Sequence, residues 1–130
     1  MVSRRTILLG SAILATGQAS ALLAAEPLAF AAADFEAAQA AGKPILIDIW
    51  ASWCPTCKAQ GPIIAGLLSD ARFKNMVVFH VDFDSQKDVV RGFGAQMQST
   101  LIVFKGKAEV GRSVGETDAT AIEALLALAI

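Results

Sequence analysis

The chain has 130 residues, enough for one domain, with 55% hydrophobic side chains and a formal net charge of −1. It has no basic run and no interleaving of basic with aromatic residues, which excludes nucleic acid as an expected partner. No acidic tract suggests a disordered tail, and no repeat or low-complexity stretch follows the alanine-rich start.

The chain opens MVSRRTILLGSAILATGQASALLAAE. Arg4 and Arg5 form a basic front, Ile7 to Ala25 carry no charge, and small residues precede Glu26. That is the three-part layout of an export signal. Ser3-Arg4-Arg5-Thr6-Ile7-Leu8 resembles the twin-arginine export motif, with Ile7 where that pattern prefers Phe. Thr16-Gly17-Gln18 keeps the apolar part mild, as in such signals. The expected organisation is 1-25 as a twin-arginine-like signal and 26-130 as the folded domain. Cleavage is expected after Ala25, with Ala21 and Ala31 as alternatives. The other reading is an uncleaved anchor, because Ile7 to Ala25 could just span a bilayer at about 1.5 Å per residue. Either way the domain is expected to be periplasmic or otherwise exported, where disulfides persist. Without Arg4 and Arg5 the body has 9 basic against 12 acidic side chains.

Leu28 to Phe30 suits a short edge strand. A helix is expected over Asp34 to Ala41, with Phe35, Ala38 and Ala41 at helical spacing and Gly42-Lys43-Pro44 as its stop. Ile45 to Trp50 is a near-continuous branched apolar run, the pattern of a central strand covered on both faces. Ile63, Ile64, Leu67 and Leu68 form one stripe on a helix reaching about Ala71. Met76 to Phe83 reads as a second buried strand. Ser85, with Asp88 three residues on, resembles a capping box for a helix carrying Val89, Val90 and Phe93. Thr100 to Phe104 is a third core strand, and Lys105-Gly106-Lys107 turns it back into Ala108 to Val114. Thr117 or Asp118 caps a last helix with Ile122, Leu125, Leu126 and Ala129 inward. The predicted order β-α-β-α-β-α-β-β-α gives an α/β sandwich: a mixed central sheet flanked by helices.

The only two cysteines, Cys54 and Cys57, fall between a predicted central strand and the helix after it. Open α/β sheets place their sites at that edge. The first amides of the helix point at Cys54 and its dipole favours a thiolate, so a lowered pKa is expected there. Cys57 lies one helical turn away, within disulfide reach, and Pro55 suits the first turn. This arrangement predicts Cys54 as the exposed attacker and Cys57 as the resolving thiol, acting by exchange through a mixed disulfide.

Trp50-Ala51-Ser52-Trp53-Cys54-Pro55-Thr56-Cys57-Lys58, with Pro62 five residues later, resembles the active-site segment of the thioredoxin superfamily. The likeness is strongest to small exported thioredoxin-like proteins and runs from about Phe30 to Ile130. Phe93 to Leu101 resembles the stretch leading into the family's fourth strand, and Lys105-Gly106 and Val114-Gly115 its closing hairpin. The resemblance implies a thioredoxin-like fold and a monomeric protein-disulfide oxidoreductase. Its only redox group would be the Cys54-Cys57 disulfide, with no cofactor. It would exchange with protein thiols and disulfides and with a membrane electron donor or acceptor. The resemblance also casts Asp48 as the buried acid beneath the site. Set among Ile45-Leu46-Ile47 and Ile49-Trp50, Asp48 is expected to have a raised pKa and to relay a proton with Cys57; the alternative is an acid facing a watery edge. Trp53 and Pro55 would contact substrate, and Pro62 would kink the helix. His80, the only histidine, falls where many thioredoxins carry a lysine facing the acid. A relay with Asp48 and a plain strand residue with a satisfied hydrogen bond both fit. Lys58 reads as a solvated lysine.

One position departs from the family, which usually places a cis-proline before Thr100. Here it is Ser99, so the Gln98–Ser99 bond is either held cis or runs trans on a shifted path. In the family the residue before the proline pairs its backbone with substrate, which casts Gln98 in that role. The Ser99 hydroxyl is expected to hydrogen-bond the Cys54 thiolate, and Ser99→Pro to change partner choice or thiol pKa more than stability. The expected function is thiol–disulfide exchange with exported proteins, in the reducing direction. The alternatives are a metal-binding module using the cysteine pair, which lacks further His or Cys ligands to close its set, and a redox-inert interaction domain.

Overall fold

The computed structural model describes residues 26–130. The expected export signal lies outside them. The elements run β1 (Leu28–Ala29), α1 (Ala32–Ala40), β2 (Pro44–Trp50), α2 (Pro55–Leu68), β3 (Val77–Asp82), α3 (Lys87–Gly92), β4 (Thr100–Lys105), β5 (Ala108–Val114) and α4 (Ala119–Ala127). The predicted order holds. A 3-10 turn, Ala71–Phe73, is added after α2, which stops at Leu68.

The five strands form one sheet in the order β1-β3-β2-β4-β5. Strand β2 pairs parallel with β3 and antiparallel with β4, so its central residues have a strand on each side and a helix layer over each face. Ile45, Leu46, Ile47 and Ile49 have no solvent exposure, which explains the unbroken apolar run. The two-residue period of the strand then divides the core. Ile45, Ile47 and Ile49 join Phe79, Val90 and Phe104 on one side of the sheet. Leu46 joins Ile64, Leu68, Ile122 and Leu126 on the other, beneath α2 and α4. Asp48 shares the phase of Leu46 and therefore faces the layer that carries the cysteines.

Two local devices differ from expectation. The capping box at Ser85 does not form. The Asp82 carboxylate takes the Ser85 N–H at 3.2 Å and the Asp84 N–H at 2.9 Å, and α3 begins after Gln86 with no side-chain cap. Gln86 instead ties two strands, donating to Phe30 O at 3.2 Å and accepting from Asp82 N at 3.0 Å. At α4 the cap is Asp118, whose carboxylate accepts from Ala121 N at 2.8 Å. Against that helix, Gly111 of β5 packs closely: a Cβ would lie 2.8 Å from Leu125 Cδ1 and 2.9 Å from Leu128 Cδ1, so both leucine tips would have to shift to admit one.

Candidate active site

Strand β2 ends at Trp50, and a turn closed by Cys54 N–H to Ala51 O at 3.2 Å delivers Cys54 to the N-cap of α2. Its backbone is extended (φ −83°, ψ 113°), Pro55 occupies the first helical turn, and Lys58 N–H donates to Cys54 O at 3.1 Å. The Cys54 sulfur accepts from Cys57 N–H at 3.1 Å, the place an Asp or Ser oxygen fills in other helices. That contact seats the Cys54 sulfur on the N-terminal turn of α2. Both cysteines are free thiols. The Cys57 thiol is pushed up from 9.0 to about 11, first by burial, then by its hydrogen bond to Cys54 and the charge there; backbone groups of Ala51 and Ser99 oppose this. The two sulfurs are therefore unequal: Cys54 receives the helix amide and Cys57 keeps its proton.

Their accessibility is the reverse of the expected one. Cys54 is buried, at 1% exposure, whereas Cys57 is half-buried. The turn that seats Cys54 at the N-cap also draws it inward. Cys57 opens onto a recess of about 310 Å³ whose walls include Asp48, Trp50, Lys58 and His80.

Asp48 is buried at 7% exposure, and its Oδ2 lies 3.0 Å from His80 Nε2. Asp48 is therefore largely shielded from solvent, although it lines the recess beside Cys57. The pairing of β2 with β3 sets Asp48 directly beside His80, so the contact follows from register. The Trp50 ring packs 5.5 Å from the imidazole, which stays partly exposed. His80 thus lines the recess together with Asp48 and is the more exposed of the two.

Ser99 is buried, with φ +57°, and no peptide bond among the described residues is cis. A left-handed backbone is unusual for a residue with a Cβ and marks a conformation its surroundings impose. Its hydroxyl does not bond Cys54 as expected; it donates to Gln98 O at 2.5 Å. Proline, confined to φ near −65°, cannot adopt this backbone. Ser99→Pro therefore bears on stability as well as on the thiols. Gln98 is half-buried beside exposed Met97. Trp53, 55% exposed, is braced by its indole N–H donating to Asp84 Oδ2 at 2.7 Å.

Asp84 and Gln60 were not legible as site residues. Gln60 is buried in α2 and donates to Glu116 O at 2.8 Å and Ser99 O at 3.3 Å. The available signal was a polar residue in phase with the apolar stripe of Ile64 and Leu68. Among the described residues no cluster of three His, Cys, Asp or Glu side chains is placed to hold a metal.

Three comparisons bear on this arrangement. The family model described as Thioredoxin matches residues 26–127. A thioredoxin of Alicyclobacillus acidocaldarius is 32% identical over 95 residues, which is 73% of this chain and 90% of that protein. Among solved structures, Trxlp from Edwardsiella tarda superposes with a TM-score of 0.76 at 39% identity, over 78% of this chain and 98% of the other. The thioredoxin NaTrxh from Nicotiana alata gives 0.67 at 28% identity, over 77% and 89%. Such proteins exchange protein disulfides through a redox-active cysteine pair, without a cofactor. With that pair at the head of α2 and a five-stranded mixed sheet behind it, the chain belongs to the thioredoxin family.

Proposed function

We propose that this thioredoxin is an exported reductase of protein disulfides, reset by an electron donor at the membrane. The observation that carries the reading is the inequality of the two sulfurs. Cys54 accepts the helix amide at 3.1 Å, while Cys57 holds its proton up to about pH 11. Cys54 thiolate attacks one sulfur of a substrate disulfide; that S–S bond breaks and the first substrate thiolate leaves, taking a proton. Cys57 then gives its proton to Asp48 and attacks Cys54 Sγ. The Cys54–Cys57 disulfide forms and the second substrate thiol is released, two electrons having passed to the substrate. A dithiol donor returns both electrons and both protons.

Asp48 is the base in this scheme, and His80 holds its Oδ2 and passes the proton on to the recess. Trp53 and Pro55, both exposed, and the Gln98–Ser99 loop receive the substrate. The export assignment rests on Arg4, Arg5 and the uncharged stretch to Ala25, ahead of the first strand.

Catalysed reduction of insulin by dithiothreitol tests the activity. Equilibration with glutathione tests the direction: a couple more oxidising than glutathione would overturn the reductase assignment. Cell fractionation of the wild type beside Arg4→Lys/Arg5→Lys tests export by the twin-arginine route. Retention of only the double variant in the cytoplasm is expected, and cytoplasmic wild type would overturn it.

A further inference from the structure

Gln60 is 1% exposed, yet it occupies a stripe position of α2 where Ile64 and Leu68 follow at four-residue intervals. An apolar side chain there would be desolvated at less cost. Its Nε2 donates to the carbonyls of Ser99 and Glu116, from the two loops that precede β4 and follow β5. Both partners are carbonyl oxygens, so only the NH2 end of the amide can face them. Its Oε1 is buried with no partner, a penalty accepted alongside those two bonds.

Ser99 O also accepts from Gly115 N–H at 2.9 Å, so two donors pin the residue whose φ is +57°. The neighbouring carbonyls are also committed: Met97 O accepts from Thr100 Oγ1 at 2.7 Å and Gln98 O from the Ser99 hydroxyl at 2.5 Å. Every carbonyl from Met97 to Ser99 is therefore turned to the protein. Among the described residues, the Met97 and Gln98 N–H groups donate to no protein acceptor. These two N–H groups are donors of the loop that the fold leaves unused.

We propose that Gln60 is a positioning residue for protein substrates. It holds the Ser99 and Glu116 loops to the cysteine-bearing helix, so that the Met97–Gln98 edge presents N–H donors to a carbonyl of the peptide flanking the substrate cysteine. This rests on the reductase reading above. A disulfide without a peptide backbone gains nothing from that edge, so Gln60 separates the two substrate kinds.

The test compares full-length wild type with Gln60→Leu, using insulin and hydroxyethyl disulfide. The expected result is a KM for insulin raised roughly tenfold, the scale of one lost hydrogen bond. The insulin kcat and the rate with hydroxyethyl disulfide should stay within about twofold. Gln60→Asn, too short to reach both carbonyls, should fall between. If Gln60→Leu does not fold, Gln60→Met, unbranched and of similar length, takes its place. An unchanged insulin KM, or equal losses on both substrates, overturns the inference while an active wild type leaves the reductase reading standing. A wild type that fails to reduce insulin overturns both.

Discussion

His80 Nε2 and Asp48 Oδ2 lie 3.0 Å apart because β2 and β3 pair in parallel with these two residues as partners. The acid is buried and the imidazole is partly exposed, so a proton taken up by Asp48 can reach solvent through His80. If His80 serves this passage, His80→Leu should slow the resolving step by roughly a hundredfold, the low end of what a single acid–base group contributes, because Asp48 remains. His80→Lys, which can still face the carboxylate, should recover most of the rate. Stopped-flow cleavage of a Cys54 mixed disulfide reads that step alone, and equal rates in all three proteins would leave His80 a structural strand residue.

The Cys57 thiol gives a pH signature. In the folded reduced protein it titrates near 11 instead of 9.0, with burial the largest cause and the Cys54 contact next. Below pH 9 both folded and unfolded chains hold this proton. Between pH 9 and about 11 the unfolded chain has lost it and the folded chain has not, so stability falls as pH rises through that window. Urea midpoints of the reduced protein should decline there, and Cys57→Ala should flatten the decline. Iodoacetamide at neutral pH should label Cys54 in preference to Cys57, in spite of its burial. Mass spectrometry of the peptides decides this, and preferential labelling of Cys57 would mean that access outweighs charge.

The features legible in the sequence were those carried by near neighbours. The run Ile45 to Trp50, the stripe through Ile64 and Leu68, the Asp118 cap and the pair at the head of α2 all express short-range spacing. What stayed hidden depends on distant partners. Gln60 gains its role from carbonyls 39 and 56 residues away. Ser85 loses its cap because Asp82 already takes its N–H. The exposures of Cys54 and Cys57 depend on how the turn from Ala51 folds inward, which composition does not encode. His80 was ambiguous until strand register set it beside Asp48.

Trp53 offers a separate handle on the substrate surface. Its indole is held by Asp84 across 31 positions of sequence, through a contact exposed to solvent. Removing that brace with Asp84→Ala should change stability by less than about 1 kcal/mol, because water replaces the lost bond. The insulin KM should nevertheless rise a few-fold, by about 0.5–1 kcal/mol of lost preorganisation. Asp84→Asn retains an oxygen acceptor and should behave like the wild type. If Asn and Ala have the same effect, the charge of Asp84, and not its bond to Trp53, is what matters.

Ser99 carries the sharpest structural prediction. Its φ of +57° lies about 120° from the value proline enforces, so Ser99→Pro cannot keep the loop path. The rebuilt loop would lose donors to Ser99 O from Gln60 and Gly115, each bond worth about 1 kcal/mol net. A loss of about 2–3 kcal/mol is expected, only partly offset by relief of the left-handed strain. Ser99→Gly accepts the same φ without a Cβ and should stay within about 1 kcal/mol of wild type. Thermal unfolding of the three reduced proteins ranks them. A Ser99→Pro variant as stable as the wild type, with Gly115 N–H still protected from hydrogen exchange, would show that the loop reaches the Cys pair equally well with its backbone turned the other way.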